Sequence, residues 1–172
     1  MAANWATAST WQSYGRYTVE GKAYGWFSVN KPEAYYGEDD PAGGTDNLGP
    51  GSPRALIADV VNVINAQKAI NWSDYDANGD CIIDHPLFIH AGADQSAGGG
   101  AQGSDAIWAH SWSTWVKVAT TKACRNGLYI YNYTMMPEDG GVGVFAHEFG
   151  HDLGLPDEYD TAYSGRGESV AF

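Results

Sequence analysis

The chain reads as an α+β fold on three observations. Alternating apolar segments are set apart by turn chemistry. One capped amphipathic helix stands in the first half, and a second near the end carries two histidines four residues apart. In chain order these give strands, a backing helix, more strands and the histidine-bearing helix. A length of 172 residues is enough to bury one core, so residues 1–172 are expected to form one domain, with 1–13 as an extension.

Residues 14–29 alternate and break at Glu20-Gly21-Lys22, which predicts a hairpin or paired strands. Residues 38–44 and Gly49-Pro50-Gly51 are loop chemistry. Ser52 then caps a helix with Pro53 at its first position, and Leu56, Ile57, Val60, Val61 and Ile64 form its apolar stripe. Leu87-Phe88-Ile89 suits a buried strand and Ala106-Ile107-Trp108 another. Residues 97–104 are glycine-rich but lack the Gly-Lys-Ser/Thr ending of a phosphate loop, and so predict a flexible connection. Residues 116–119 and 128–135 read as strands, with Asn126-Gly127 as the turn signal between them.

A formal net charge of −12 and a pI near 4.5 exclude nucleic acid and anionic membrane as natural partners, because both repel such a surface. No apolar run reaches membrane-spanning length. The N-terminal Met1-Ala2-Ala3-Asn4-Trp5 lacks the basic and apolar stretches of a signal peptide. Two cysteines, Cys81 and Cys124, fit either one disulfide or two buried thiols. Substrate preference and oligomeric state leave no trace in the sequence.

The chemistry concentrates in residues 147–157, which read H-E-x-x-H-x-x-G-x-x-D. Residues four apart on a helix differ by roughly 40° around the axis, so His147 and His151 can present imidazole nitrogens to one Zn²⁺. Glu148 sits one step round, where it can serve a water as base without being a ligand. Val142, Phe145, Phe149 and Leu153 fall about 140–220° away and predict a core-facing stripe. Gly154 and Pro156 end the helix sharply. That turn can return Asp157 as the third ligand, with Glu158 as its competitor, and leaves a fourth position for water.

Residues 143–160 closely resemble the immune inhibitor A family of secreted metallopeptidases, a metzincin-like branch of zinc peptidases. Similar landmarks are Tyr35-Tyr36-Gly37, the acidic loop near Asp76, Ile89-His90-Ala91-Gly92 and Asp105-Ala106-Ile107-Trp108-Ala109-His110. The resemblance runs from about Tyr14 onward. It implies a twisted mixed β-sheet above the cleft, endopeptidase activity on protein or peptide substrates, zinc at the two histidines, calcium for stability, and secretion.

The acidic segment 74–84 alternates oxygen-bearing side chains, as loops that wrap Ca²⁺ do. Counting from Asp74 gives EF-hand order, but the twelfth position is His85, where a bidentate carboxylate is needed. Counting from Asp76 gives Asn78, Asp80, the Ile82 carbonyl and Asp84, a D-x-N-x-D-x-x-x-D loop. This register is similar to the family's and is preferred, although Cys81 replaces the usual Gly. His85, His90 and His110 lie near predicted strand ends, where structural hydrogen bonding is commoner than metal ligation.

Met135-Met136-Pro137 is not the metzincin Met-turn, because it precedes the zinc helix. Residues 159–172 resemble the family segment leading up to that turn, so the expectation is a truncated catalytic domain with the lower subdomain missing. An alternative is a calcium-dependent extracellular binding module with a relic zinc site, but a relic has no need of Glu148. A purely structural zinc site would need a fourth protein ligand, and no cysteine lies near the motif to supply one.

Overall fold

The computed structural model describes residues 14–41, 46 and 49–157. A four-residue helix α1 (Glu33–Tyr36) precedes the long helix α2 (Pro53–Gln67), and strands β1 (Leu87–His90), β2 (His110–Ala119) and β3 (Leu128–Pro137) follow. Helix α3 (Val142–Asp152) is the last regular element among the described residues. The sheet is three-stranded and mixed, in the order β1-β3-β2, with β1 parallel and β2 antiparallel to β3. The fold is therefore α+β, as the sequence predicts.

The start of α2 shows why its residues fold locally. Ser52 is extended and its hydroxyl accepts from the Ala55 amide at 3.3 Å, while Pro53 occupies the first turn, where no amide is needed. Ile57, Val61 and Ile64 are buried, with Leu56 and Val60 packed at the edge of the same cluster. The other half of that core is Val118, Leu128, Ile130, Tyr133 and Met135 from β2 and β3. Truncating Ile57, which is fully buried, would cost about 2–5 kcal/mol through lost transfer energy and the cavity left behind. Asn65 ties α2 to its surroundings by donating to the Val118 carbonyl at 2.9 Å and accepting from the Trp72 indole at 2.8 Å.

Several expected elements differ. Residues 17–29 form no strand: they run without ladder partners, and Phe27 and Val29 only brush the core. Ala106 and Ile107 are fully buried but not in a strand, because this segment packs against α1. A Cβ on Gly37 would stand 2.5 Å from the Ala106 carbonyl carbon, so only glycine permits that approach. β1 is a strand, yet Ile89 is 47% exposed because β1 is an edge of the sheet. The glycine-rich segment is not a slack connection, since 3₁₀ turns at Gln95–Ala97 and Gly103–Asp105 organise it.

The Cys81–Cys124 pair forms a disulfide, which removes the thiol alternative. It joins the acidic segment to the β2–β3 connection across a separation of 43 residues, a closure worth about 4 kcal/mol by loop entropy. Ile83 and Tyr129 complete the attachment: the Tyr129 carbonyl accepts from Ile83, and its amide donates to Cys81.

Candidate active site

Helix α3 packs against β3 and β2. Its apolar stripe is narrower than the spacing predicts. Phe149 is buried at 2% exposure and anchors the helix, but Val142 and Leu153 are exposed at 40% and 39%. Those two sit in the first turn and just past the last.

The helix ends in a Schellman turn. Gly154 is left-handed at φ +88°, its amide donates to the His151 carbonyl at 2.8 Å, and the Leu155 amide donates to Gly150 at 3.0 Å. That geometry aims the Leu155 carbonyl back at the helix, where it lies 2.8 Å from His151 Nδ1. A carbonyl can only accept, so His151 carries its proton on Nδ1 and turns the Nε2 lone pair outward. The turn also returns Asp157. Its Oδ1 lies 3.1 Å from His151 Nε2 and 3.4 Å from His147 Nε2, and the two imidazole nitrogens are 3.2 Å apart.

This triangle can be tested against a metal. Ligands at about 2.0–2.1 Å from a tetrahedral Zn²⁺ stand about 3.3 Å from one another, and the three sides fall around that value. The donor set, two imidazoles and a carboxylate, suits zinc and leaves a fourth position open. His147, His151 and Asp157 form one of two groups of metal-capable side chains gathered within 4.8 Å among the described residues. The other, Asp76 with Cys81 and Cys124, has both sulfurs committed to the disulfide and offers no thiolate. Glu158 lies outside the described residues.

Glu148 is 8% exposed, and its Oε1 lies 3.9 Å from His147 Nε2. Burial pushes its carboxyl up to about 7, opposed by the nearby His151 and by a hydrogen bond from the Ser111 backbone on β2. A cation held by the triad would draw that value back down. The bond to Ser111 ties the carboxylate to the sheet edge. Beside it a cavity of about 300 Å³ is lined by Ser111, Trp112, Ser113, Asn132, His151 and Asp152.

The acidic loop is arranged differently. Its oxygens accept from the loop's own amides: Asn78 Oδ1 from Asp80 at 2.9 Å, Asp80 Oδ1 from Ile82 at 2.9 Å, and Asp84 Oδ2 from Ala77 at 2.7 Å. Among the described residues neither Asp80 nor Asp84 is gathered with Asp76 within 4.8 Å. Asp76 Oδ1 is buried without a hydrogen-bond partner, and Oδ2 lies 3.6 Å from Cys124 Sγ, a contact only, because a disulfide sulfur has no proton to give. In the competing register, Asp74 accepts from the Asn71 side chain.

The remaining histidines are bonded within the fold. His90 Nδ1 lies 3.3 Å from Glu33 Oε1, and His110 bridges the Trp108 carbonyl at 2.6 Å and the Tyr133 hydroxyl at 2.9 Å. Burial lowers the pKa of both. Sequence reasoning does not reach the Ser111 tether of Glu148 or the Leu155 carbonyl behind His151. The helix-ending Gly154 was the only available sign of the latter.

Comparison with known proteins bears on the chain as a whole. A family model described as "Immune inhibitor A peptidase M6, catalytic domain" matches residues 6–172. Immune inhibitor A of Bacillus thuringiensis subsp. alesti is 43% identical over 178 residues, covering 92% of this chain and 26% of that protein. The pre-pro-metalloprotease PrtV of Vibrio cholerae serotype O1 is 39% identical over 181 residues, covering 94% of this chain and 19% of that protein. The chain thus spans about a quarter or less of the length of these relatives.

Proposed function

The chain belongs to the immune inhibitor A peptidase family, and on that premise we propose that it carries the metal centre of a secreted, zinc-dependent endopeptidase acting on protein substrates. His147, His151 and Asp157 would hold the zinc, and Glu148 would be the general base. The observation that carries this reading is the triangle of Nε2, Nε2 and Oδ1 atoms at 3.1–3.4 Å. A related protein named as a metalloprotease supports it, and the disulfide agrees with an oxidising, extracellular compartment. In the same reading the sheet and α3 make a metzincin-like arrangement, and the acidic loop takes Ca²⁺ through Asp76, Asn78, Asp80, the Ile82 carbonyl and Asp84.

Bound zinc would supply Lewis acidity, polarising the scissile carbonyl and acidifying the attacking water. The chain's own residues do the rest. Glu148 takes the proton of that water on a carboxylate oxygen and passes it to the leaving amine nitrogen. Its burial limits competing hydration, and the Ser111 amide keeps the carboxylate from swinging away. His151 is fixed in one tautomer by Leu155, so its outward nitrogen needs no reorganisation to bind metal. Residues along β2 beside the cavity would bound the bound peptide.

The test is Glu148→Gln in a zinc-loaded version of the chain extended through the Met-turn, since the fragment alone is not expected to carry a complete cleft. It should retain one equivalent of zinc and lose at least about a hundredfold in casein hydrolysis, the scale of a general base. Hydrolysis at the parent rate, or loss of the zinc, would overturn the role given to Glu148.

A further inference from the structure

The segment joining the acidic loop to β1 reaches across to α3. His85 Nδ1 contacts the Asp152 carboxylate, and the His85 ring meets Phe149 edge-on with centroids 5.7 Å apart. Asp152 directly follows His151, and its side chain is only 3% exposed. Phe149 is the buried anchor of the same helical turn. His85 therefore touches both residues that bracket Gly150-His151, while its own side chain stays 50% exposed and adds little to the core.

The chain dictates where that ring sits. His85 is held in the left-handed region at φ 48°, unusual for a residue with a side chain. On its N-terminal side the Ile83 amide donates to Tyr129 at 2.8 Å and the Asp84 amide to Tyr75 at 2.7 Å. On its C-terminal side Pro86 offers its carbonyl to Thr134. A backbone fixed on both sides, with one residue turned against its preference, presents a ring to the end of the helix. There the helical hydrogen-bond ladder runs out, and what holds the last turn lies outside the helix itself.

We propose that His85 is a positioning residue for the metal centre: through Asp152 and Phe149 it fixes the rotation of the last turn of α3, and so the direction in which His151 presents Nε2. The Schellman turn holds this end of the helix from the C-terminal side. The His85 contact holds it from the side of the sheet. Without His85 the Asp152 carboxylate loses this partner and is drawn toward water, turning His151 with it. The proposal rests on His147, His151 and Asp157 being the zinc ligands.

Co²⁺ titration of the 172-residue chain tests both levels, with the visible d–d band reporting geometry and a competing chelator reporting affinity. His85→Ala should weaken Co²⁺ about tenfold or more and shift the band, as loss of an outer contact to a metal site does. Far-UV circular dichroism should be unchanged. His85→Asn should restore both readouts, since Asn accepts the left-handed backbone and places an amide where Nδ1 stood. Asp152→Ala combined with His85→Ala should cost no more than either alone.

A parent that binds no Co²⁺, or binds it undiminished with His147→Ala, would overturn the ligand assignment and the inference with it. A parent that binds through His147, beside a His85→Ala protein of equal affinity and identical band, would overturn the positioning role alone. So would affinity lost only together with the helical signal and not restored by His85→Asn.

Discussion

At the end of α3 three candidate ligand atoms stand 3.1–3.4 Å apart, whereas in the acidic loop the side-chain oxygens of Asn78, Asp80 and Asp84 turn to the loop's own amides. Both stretches are rich in groups that bind cations, yet only the first is assembled. The helix sets His147 and His151 side by side through its period, and the Schellman turn delivers Asp157 through main-chain bonds. Nothing in that arrangement needs the ion. In the loop Asn78 and Asp80 accept from amides two residues on, as Asx chemistry supplies, and Asp84 accepts from Ala77 across the loop. Gathering those oxygens means breaking local bonds and overcoming mutual repulsion. A rigid scaffold therefore makes a tight site, while a self-capped loop makes one whose affinity is reduced by its own rearrangement.

The largest effect expected from this contrast is at the triangle. The purified chain should bind no more than one equivalent of zinc tightly, and His147→Ala with His151→Ala should abolish that binding, because one carboxylate cannot hold the ion alone. Full zinc retention by the double variant, measured by metal analysis after dialysis, would break the comparison at its stronger end.

Next in size is Gly154→Ala. The residue sits at φ +88°, so a Cβ there costs about 1–2 kcal/mol, or about 3–6 °C in melting temperature for a chain this long. If main-chain geometry assembles the site, zinc affinity should fall as well, since the Leu155 carbonyl leaves His151 when the turn opens. A lowered melting temperature with unchanged zinc affinity would show that the turn stabilises the helix without orienting the ligand.

Calcium is the smaller counterpart at the loop. With an affinity in the 10⁻⁴–10⁻³ M range, millimolar Ca²⁺ would add about 1 kcal/mol and raise the melting temperature by about 2–4 °C. Asp80→Ala should remove most of that rise, because Asp80 is a central side-chain ligand in the preferred register. A rise untouched by Asp80→Ala but lost in Asp74→Ala would favour the EF-hand-like register.

The same contrast explains what was legible in the sequence. The candidate ligands His147 and His151, the Ser52-Pro53 helix start and strand β3 are encoded by local spacing, whereas β2 begins at His110, six residues before the expected 116, because its first half pairs with β3 without a continuous apolar pattern. Residues 17–29 alternate like a strand but find no ladder, since alternation reports one wetted face and says nothing about a partner edge. Ala106-Ile107 are apolar because a loop packs there against α1, which a short apolar run cannot distinguish from a strand. The Ser111 bond to Glu148 and the His85 contact to Asp152 link residues far apart in sequence, and no local pattern announces them.

Asp46 uses neither solution, and its effect is read as a slope against pH. Its Oδ2 accepts from the Trp108 amide at 3.3 Å, but its Oδ1 is buried without a hydrogen-bond partner. Burial first, then the charges of Asp39 and Asp94, push its pKa from 3.8 up to about 7, against the lowering by Trp108. The sign follows from linkage. Between those two values the folded chain keeps a proton that the unfolded chain has lost, so the contribution is fully present below about 3.8 and fades as pH rises through about 7. Asp46→Asn holds the group neutral at every pH and should remove that slope. Other titrating groups, Glu33 among them, act in both proteins and cancel in the difference. Melting temperatures taken from pH 4 to 8 should therefore fall less steeply for the Asn variant. Parallel profiles would mean that Asp46 is ionised in the folded chain across this range, and that its oxygens are satisfied like those of Asp80.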